Sequence, residues 1–117
     1  MTTEEKLKTI VEVADEMKAE DIETIEVGSR SSIADYFVIC TAGNDRQLIS
    51  IADKVAETLK QHKERPLRTE GGVGGWILQD YGDIVLHVMR EEQRQFYDLE
   101  TLWKATQSID NNESSEE

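Results

Sequence analysis

The sequence predicts an α+β fold: a mixed five-stranded sheet flanked by helices, in the order α-β-β-α-β-β-β-α. Two segments repeat apolar residues at helical spacing, and five short runs are β-branched, aromatic or alternating. The last two runs are separated by the tight turn Tyr81-Gly82, so they pair antiparallel. The second and third are joined through a helix and can therefore run parallel, which makes the sheet mixed.

Each element has its own signal. Thr2-Thr3-Glu4-Glu5 is a capping box, after which Leu7, Ile10, Val11, Ala14 and Met17 mark an amphipathic helix over 3–19. Ile22 to Val27 alternates polar and apolar, with Ile25 and Val27 on one face, and forms the first strand. Residues 28–32 are a loop. Asp35–Thr41 is rich in aromatic and β-branched residues, too apolar for an edge, and belongs in the middle of the sheet. Asn44 or Asp45 caps a second helix over about 45–63, whose face is Leu48, Ile51, Ala52, Val55 and Leu59. Pro66 prevents its continuation. Leu67–Glu70 is a short third strand, and the glycines at 71, 72, 74 and 75 make a permissive loop. Trp76–Asp80 and Asp83–Met89 are the antiparallel pair, and Phe96–Thr106 reads as the last helix.

The chain has 117 residues, the size of one domain, here placed at 1–107. From Ser108 on, SIDNNESSEE has four acids, no base and one aliphatic residue, the composition of a disordered acidic tail over 108–117. A net charge of −12, with 13 basic residues among 25 acidic ones, argues against nucleic-acid backbone binding, which needs clustered Lys and Arg. The acidity serves solubility or steers in a basic partner. A single cysteine, Cys40, excludes an internal disulfide and reads as a buried, inert thiol. The N-terminus lacks a signal peptide's apolar core, and no apolar stretch approaches the roughly 18 residues of a membrane span, so a cytoplasmic location is expected.

No catalytic residue, cofactor or metal ligand set is legible. Gly71-Gly72-Val73-Gly74-Gly75 leads into a strand, not a helix N-terminus, and no Lys follows it. Gly28-Ser29 followed by Asp35-Tyr36-Phe37 is faintly like a nucleotidyltransferase site, but Phe37 stands where the second metal-binding carboxylate belongs. A nucleotide-binding enzyme of that type is the alternative function. Five of the seven aromatic residues fall between Gly71 and Trp103, a surface for a partner more than a pocket for a reaction. If Ile84, Leu86 and Val88 face the helices, Val85, His87 and Met89 face the other way and form an exposed, semi-apolar patch beside Trp76. Trp76 reads equally as ordinary core and as the anchor of that patch. His87 lacks a ligand or base partner and reads as packed or hydrogen-bonded.

The segments Asp35-Tyr36-Phe37-Val38-Ile39-Cys40-Thr41-Ala42, Trp76-Ile77-Leu78-Gln79-Asp80-Tyr81-Gly82-Asp83, His87-Val88 and Phe96-Tyr97-Asp98-Leu99-Glu100-Thr101-Leu102-Trp103 resemble the ribosomal silencing factor, or Iojap, family. The resemblance runs in order from about residue 3 to 106. It implies a homodimer with nucleotidyltransferase-like topology but without that activity. It also implies binding to the large ribosomal subunit, on its basic protein numbered fourteen, which would block the small subunit and repress translation when nutrients are scarce. Organelle relatives assist assembly of the large subunit, a second alternative. Trp76, Asp80, Tyr81, Asp83 and His87 match the family pattern, as do Phe96 and Tyr97. With Val85 and Met89 from the strand face, these make the expected partner-binding set. Asp80 and Asp83 are expected to pair with Arg or Lys at its rim.

Overall fold

The computed structural model describes residues 1–28 and 34–102. Thr2 caps the first helix, α1 (Thr3–Glu16), its hydroxyl accepting from the Glu5 amide while the Glu5 carboxylate accepts from the Thr2 amide. The helix ends earlier than expected. The amides of Lys18 and Ala19 donate back to the carbonyls of Asp15 and Ala14, with Lys18 at φ 65°. That closing geometry is normally announced by glycine, so a lysine in its place hid the stop. The strand β1 (Glu20–Glu26) follows, its pairing irregular between Glu20 and Glu23. Then come β2 (Tyr36–Ala42), α2 (Asp45–Lys60), β3 (Arg68–Gly71), β4 (Trp76–Asp80), β5 (Ile84–Arg90) and α3 (Glu91–Tyr97).

The element order is the one expected, but α3 starts five residues earlier than Phe96 and stops at Asp98, whose φ is 44°. Residues 99–102 are helical again. Glu91-Glu92-Gln93-Arg94-Gln95 shows no apolar period, so periodicity had nothing to find there. Trp103, the rest of the expected last helix and the acidic tail lie outside the described residues, as does most of the loop at 28–32.

The strands are ordered β1-β2-β5-β4-β3, with β2 and β5 parallel and every other pair antiparallel. Thus β2 and β3 do run the same way, yet β5 and β4 lie between them. The central pair is buried on both sides, as its unbroken apolar runs require. On one face α1 and α2 cover Val38, Cys40, Ile77, Ile84, Leu86 and Val88 with Ile10, Ala14, Leu48, Ile51, Val55 and Leu59. Each of the Val, Leu and Ile side chains among them stabilises the fold by about 1.5–3 kcal/mol when buried. Burial pushes the Cys40 thiol up to about 12, which leaves it uncharged and inert. None of the described helices is long and apolar enough to cross a membrane.

The β3–β4 hairpin depends on one glycine. Gly71 has φ 90°, and a Cβ there would run into the carbonyl oxygen of Trp76. Gly74 has φ 89° but open space around it. Gly74→Ala should therefore cost only the conformational strain, about 1–3 kcal/mol. Gly71→Ala should cost more and open β3 from β4, seen as faster amide exchange in β3 than in the Gly74 variant. Equal exchange in the two variants would contradict the predicted clash.

Candidate functional site

The face of the sheet turned away from α1 and α2 carries the candidate site. Strand alternation and register put Phe37, Ile39 and Thr41 of β2 beside Val85, His87 and Met89 of β5, which in turn pair with Asp80, Leu78 and Trp76 of β4. This face is a second apolar cluster: Ile25, Val27, Ala34, Ile39, Val85 and Met89, edged by Phe37, Trp76, Leu78 and Leu99.

His87 lies in the middle of it, only 4% exposed. The Trp76 indole N–H donates to His87 Nδ1 at 3.1 Å, which assigns the imidazole proton to Nε2. Nε2 is buried and finds no hydrogen-bond partner among the described residues. The rings of Phe37 and Trp76 lie 4.9 and 5.8 Å from the imidazole. Burial pushes the imidazole pKa down to about 4. The unfolded chain, with an ordinary histidine near 6.5, takes up a proton that the folded chain refuses. Stability present above that value should fall as pH drops from about 6.5 to 4, by up to about 3 kcal/mol. Urea melts across that window measure it, and His87→Phe should flatten the slope. Asp83 adds its own loss only below its ordinary value of 3.8, and Glu5, held below its ordinary 4.5 by the Thr2 amide, adds its own only at the acid end, so most of the window belongs to His87.

Over this face α3 sits directly after β5, and one polar side chain holds it down. Arg94 is 7% exposed. Its Nη1 donates to Thr41 Oγ1 at 2.8 Å, its Nε to Glu100 Oε2 at 3.1 Å, and its Nη2 lies 3.6 Å from Glu23. With Arg94 turned inward, α3 shows its aromatic end to solvent. Phe96 is 81% exposed and Tyr97 half exposed. Tyr97 lies 4.8 Å from the Trp76 ring, and Phe96 meets Tyr97 edge-on at 5.0 Å. An aromatic series thus runs from the buried imidazole through Trp76 and Tyr97 to the exposed Phe96. Beside it opens a groove of about 660 Å3, lined by Trp76, Leu78, Phe96 and Tyr97 together with Val73, Glu70 and Glu92.

The structure therefore separates the nine residues expected at the partner surface. Trp76, Phe96 and Tyr97 come together at the groove. Val85, His87 and Met89, expected as an exposed patch, are buried within the chain's own second apolar cluster and against the rings of Phe37 and Trp76. Tyr81 faces the opposite, helix-covered core, where its hydroxyl donates to Gln79 Oε1 at 2.8 Å and burial pushes its pKa up. Gln79 in turn donates to the Ala52 carbonyl at 3.0 Å.

Asp80 and Asp83, expected at the rim, are engaged within the chain. Asp80 accepts from the Gly82 amide and lies 3.4 Å from Arg68. Asp83 accepts from the Lys6 ammonium at 2.9 Å and the Thr3 hydroxyl at 2.8 Å. Burial pulls the Asp83 carboxyl up, but those bonds outweigh it and hold its pKa below the ordinary value. Sequence reasoning missed Leu78, Val73, Glu70, Glu92 and Arg94. Glu70 and Leu78 become neighbours when β3 pairs with β4, and Glu92 joins them only when α3 meets the hairpin. A buried arginine inside a polar run has no sequence signal.

The other candidates gather no chemistry. Asp35 closes the loop through its backbone, accepting from Val27 and Gly28 and donating to the Asp83 carbonyl. No group of His, Cys, Asp or Glu able to hold a metal ion is found among the described residues.

Comparison with known proteins converges on one group. The model of the family described as "Ribosomal silencing factor during starvation" matches residues 1–117. The chain is 39% identical to the ribosomal silencing factor of Zymomonas mobilis over 98 residues, covering 83% of this chain and 74% of that protein. It is 32% identical over 98 residues to a mouse protein named for mitochondrial assembly of the ribosomal large subunit, covering 80% of this chain and 43% of that one. A crystal structure of a Chromobacterium violaceum protein, 31% identical, superposes with a TM-score of 0.85 and covers 89% of this chain and 88% of that one. The α+β fold, the whole-length family match and the identities above 30% agree: the chain belongs to the ribosomal silencing factor family.

Proposed function

We propose that this chain binds the large ribosomal subunit through its aromatic face and, by occupying that place, keeps the small subunit from joining. The observation that carries this reading is the series Trp76, Tyr97 and Phe96, which presents an 81%-exposed phenylalanine on a chain of net charge −12. An exposed aromatic group backed by packed rings has the makeup of an interface anchor. The negative charge steers the chain toward a basic protein, such as protein fourteen of the large subunit, and away from bare RNA. Mechanism is then occupancy: affinity for one surface excludes a competitor. The reading also includes a homodimer in the cytoplasm as the working form.

Two measurements test it. The protein should pellet with isolated large subunits and not with small ones, and it should slow subunit association followed by light scattering. Failure to pellet with large subunits overturns the proposal. Pelleting without any effect on association favours the second reading, a role in large-subunit assembly, which the name of the mouse relative supports.

A further inference from the structure

We infer that the groove between the β3–β4 hairpin and α3 is an arginine socket: it takes one guanidinium side chain from the basic partner. This deepens the proposed ribosome-binding function and rests on it. Three aromatic side chains, Trp76, Phe96 and Tyr97, supply faces, while the carboxylates of Glu70 and Glu92 supply negative charge at the edge of the same groove. A guanidinium is planar, stacks on aromatic rings within about 6 Å of their centres and pairs with carboxylates through two parallel N–H donors. Lysine fits less well, because its compact ammonium holds its hydration more tightly than a delocalised guanidinium does.

The chain already shows half of the arrangement. Arg68 Nη1 lies 2.7 Å from Glu70 Oε2, with both side chains more than half exposed. A pair that open to solvent is weak and can be rearranged by a better-buried competitor. Glu92 is exposed, and none of the ion pairs formed among the described residues uses it.

Two other occupants fit poorly. A nucleic-acid phosphate would meet Glu70 and Glu92 with like charge. A second copy related by a two-fold axis through the groove would set the same acidic edges against each other. An arginine-bearing loop of a basic protein meets complementary charge and an apolar wall together.

The test is co-sedimentation of the full chain with isolated large subunits. Phe96→Ala and Glu92→Arg remove a wall and reverse an edge at exposed positions, so neither disturbs the core. Each should weaken binding about tenfold or more. Glu57→Arg, the same charge change on exposed α2 across the sheet, should leave binding within about twofold. Arginine amide should displace the protein at lower concentration than lysine amide at matched ionic strength.

If wild type pellets and both groove variants pellet equally well, the socket is wrong while ribosome binding stands. Equal displacement by the two amides overturns the choice of a guanidinium. A self-association of wild type that Phe96→Ala abolishes puts a second copy in the groove and overturns the socket. A wild type that does not pellet removes the proposed function itself.

Discussion

Replacing Arg94 by Met should lower the unfolding free energy by about 3–5 kcal/mol, among the largest costs of any single change in this protein. Methionine fills much of the same volume, so the loss is electrostatic in origin. Arg94 is buried, and its guanidinium is shared by Thr41 on β2, Glu100 beyond α3 and Glu23 on β1. Removing it leaves the Glu100 carboxylate with one buried oxygen that already lacks a partner among the described residues and a second that has just lost one. The Glu23 contact is more open to water and adds little.

The same change has a functional consequence. Among the described side chains of α3, Arg94 alone is buried, so the helix loses its fastening to the sheet. Phe96 and Tyr97 then lose their fixed position against Trp76. Chemical denaturation reads the first effect and large-subunit sedimentation the second. Arg94→Met with Glu100→Gln should recover part of the stability, because no unpaired charge is then left behind. A single variant as stable as wild type would mean that apolar packing, not Arg94, holds α3.

Trp76→Ala should damage both stability and binding. The ring packs against Tyr97 at 4.8 Å and the imidazole at 5.8 Å, and it edges the second apolar cluster. Truncation of a large core aromatic costs about 3–5 kcal/mol, and half-burial puts Trp76 at the lower end. It also leaves both nitrogens of His87 without a partner among the described residues. Trp76→Phe separates these contributions. It keeps much of the packing and loses only the N–H bond, at about 1–3 kcal/mol. In large-subunit binding, Trp76→Ala should lose at least thirtyfold or so, the behaviour of a central anchor. Binding unchanged in a still-folded Trp76→Ala would take the aromatic face out of the interface. The sequence left Trp76 open between core and anchor; its hydrogen bond to His87 on one side and the groove on the other make it a bridge between the two.

Much of the fold was legible because burial on one side leaves a direct mark. The faces of α1 and α2 and the triple Ile84, Leu86, Val88 were found from periodicity, and all of them line the helix-covered core. The same alternation correctly set Val85, His87 and Met89 on the opposite face. The error was to leave that face open. Nothing in alternation tells whether the second side of a sheet meets water or another element. Here a seven-residue helix packs beside that face; its first five residues are charged or amide, and its two aromatics, Phe96 and Tyr97, stand at its end and form no apolar stripe. Its hold on the sheet is a salt-bridged arginine, not a row of leucines.

Tyr81 shows a different limit. As a turn residue beside Gly82 it looks exposed in one dimension, yet the turn folds it back under the helices to meet Gln79. Asp80 and Asp83 look like surface charges ready for a partner. The structure assigns Asp83 to Lys6 and Thr3 of α1 and Asp80 to the turn and Arg68. Such pairings join positions up to 80 residues apart and depend on how the elements pack.

The sequence by itself determined the elements, their order, the helix-side core and the family, because period, capping residues and ordered motifs are properties of the chain read in one dimension. Tertiary structure alone decided what the second face of the sheet becomes. Val85, His87 and Met89 close into a second apolar cluster, Arg94 ties α3 to β2 beside it, and the hairpin then brings Glu70 and Leu78 to the same groove as Phe96 and Tyr97. The physical reason is distance. A groove lies between surfaces that meet only after long-range packing, and local pattern carries no information about which surfaces those will be.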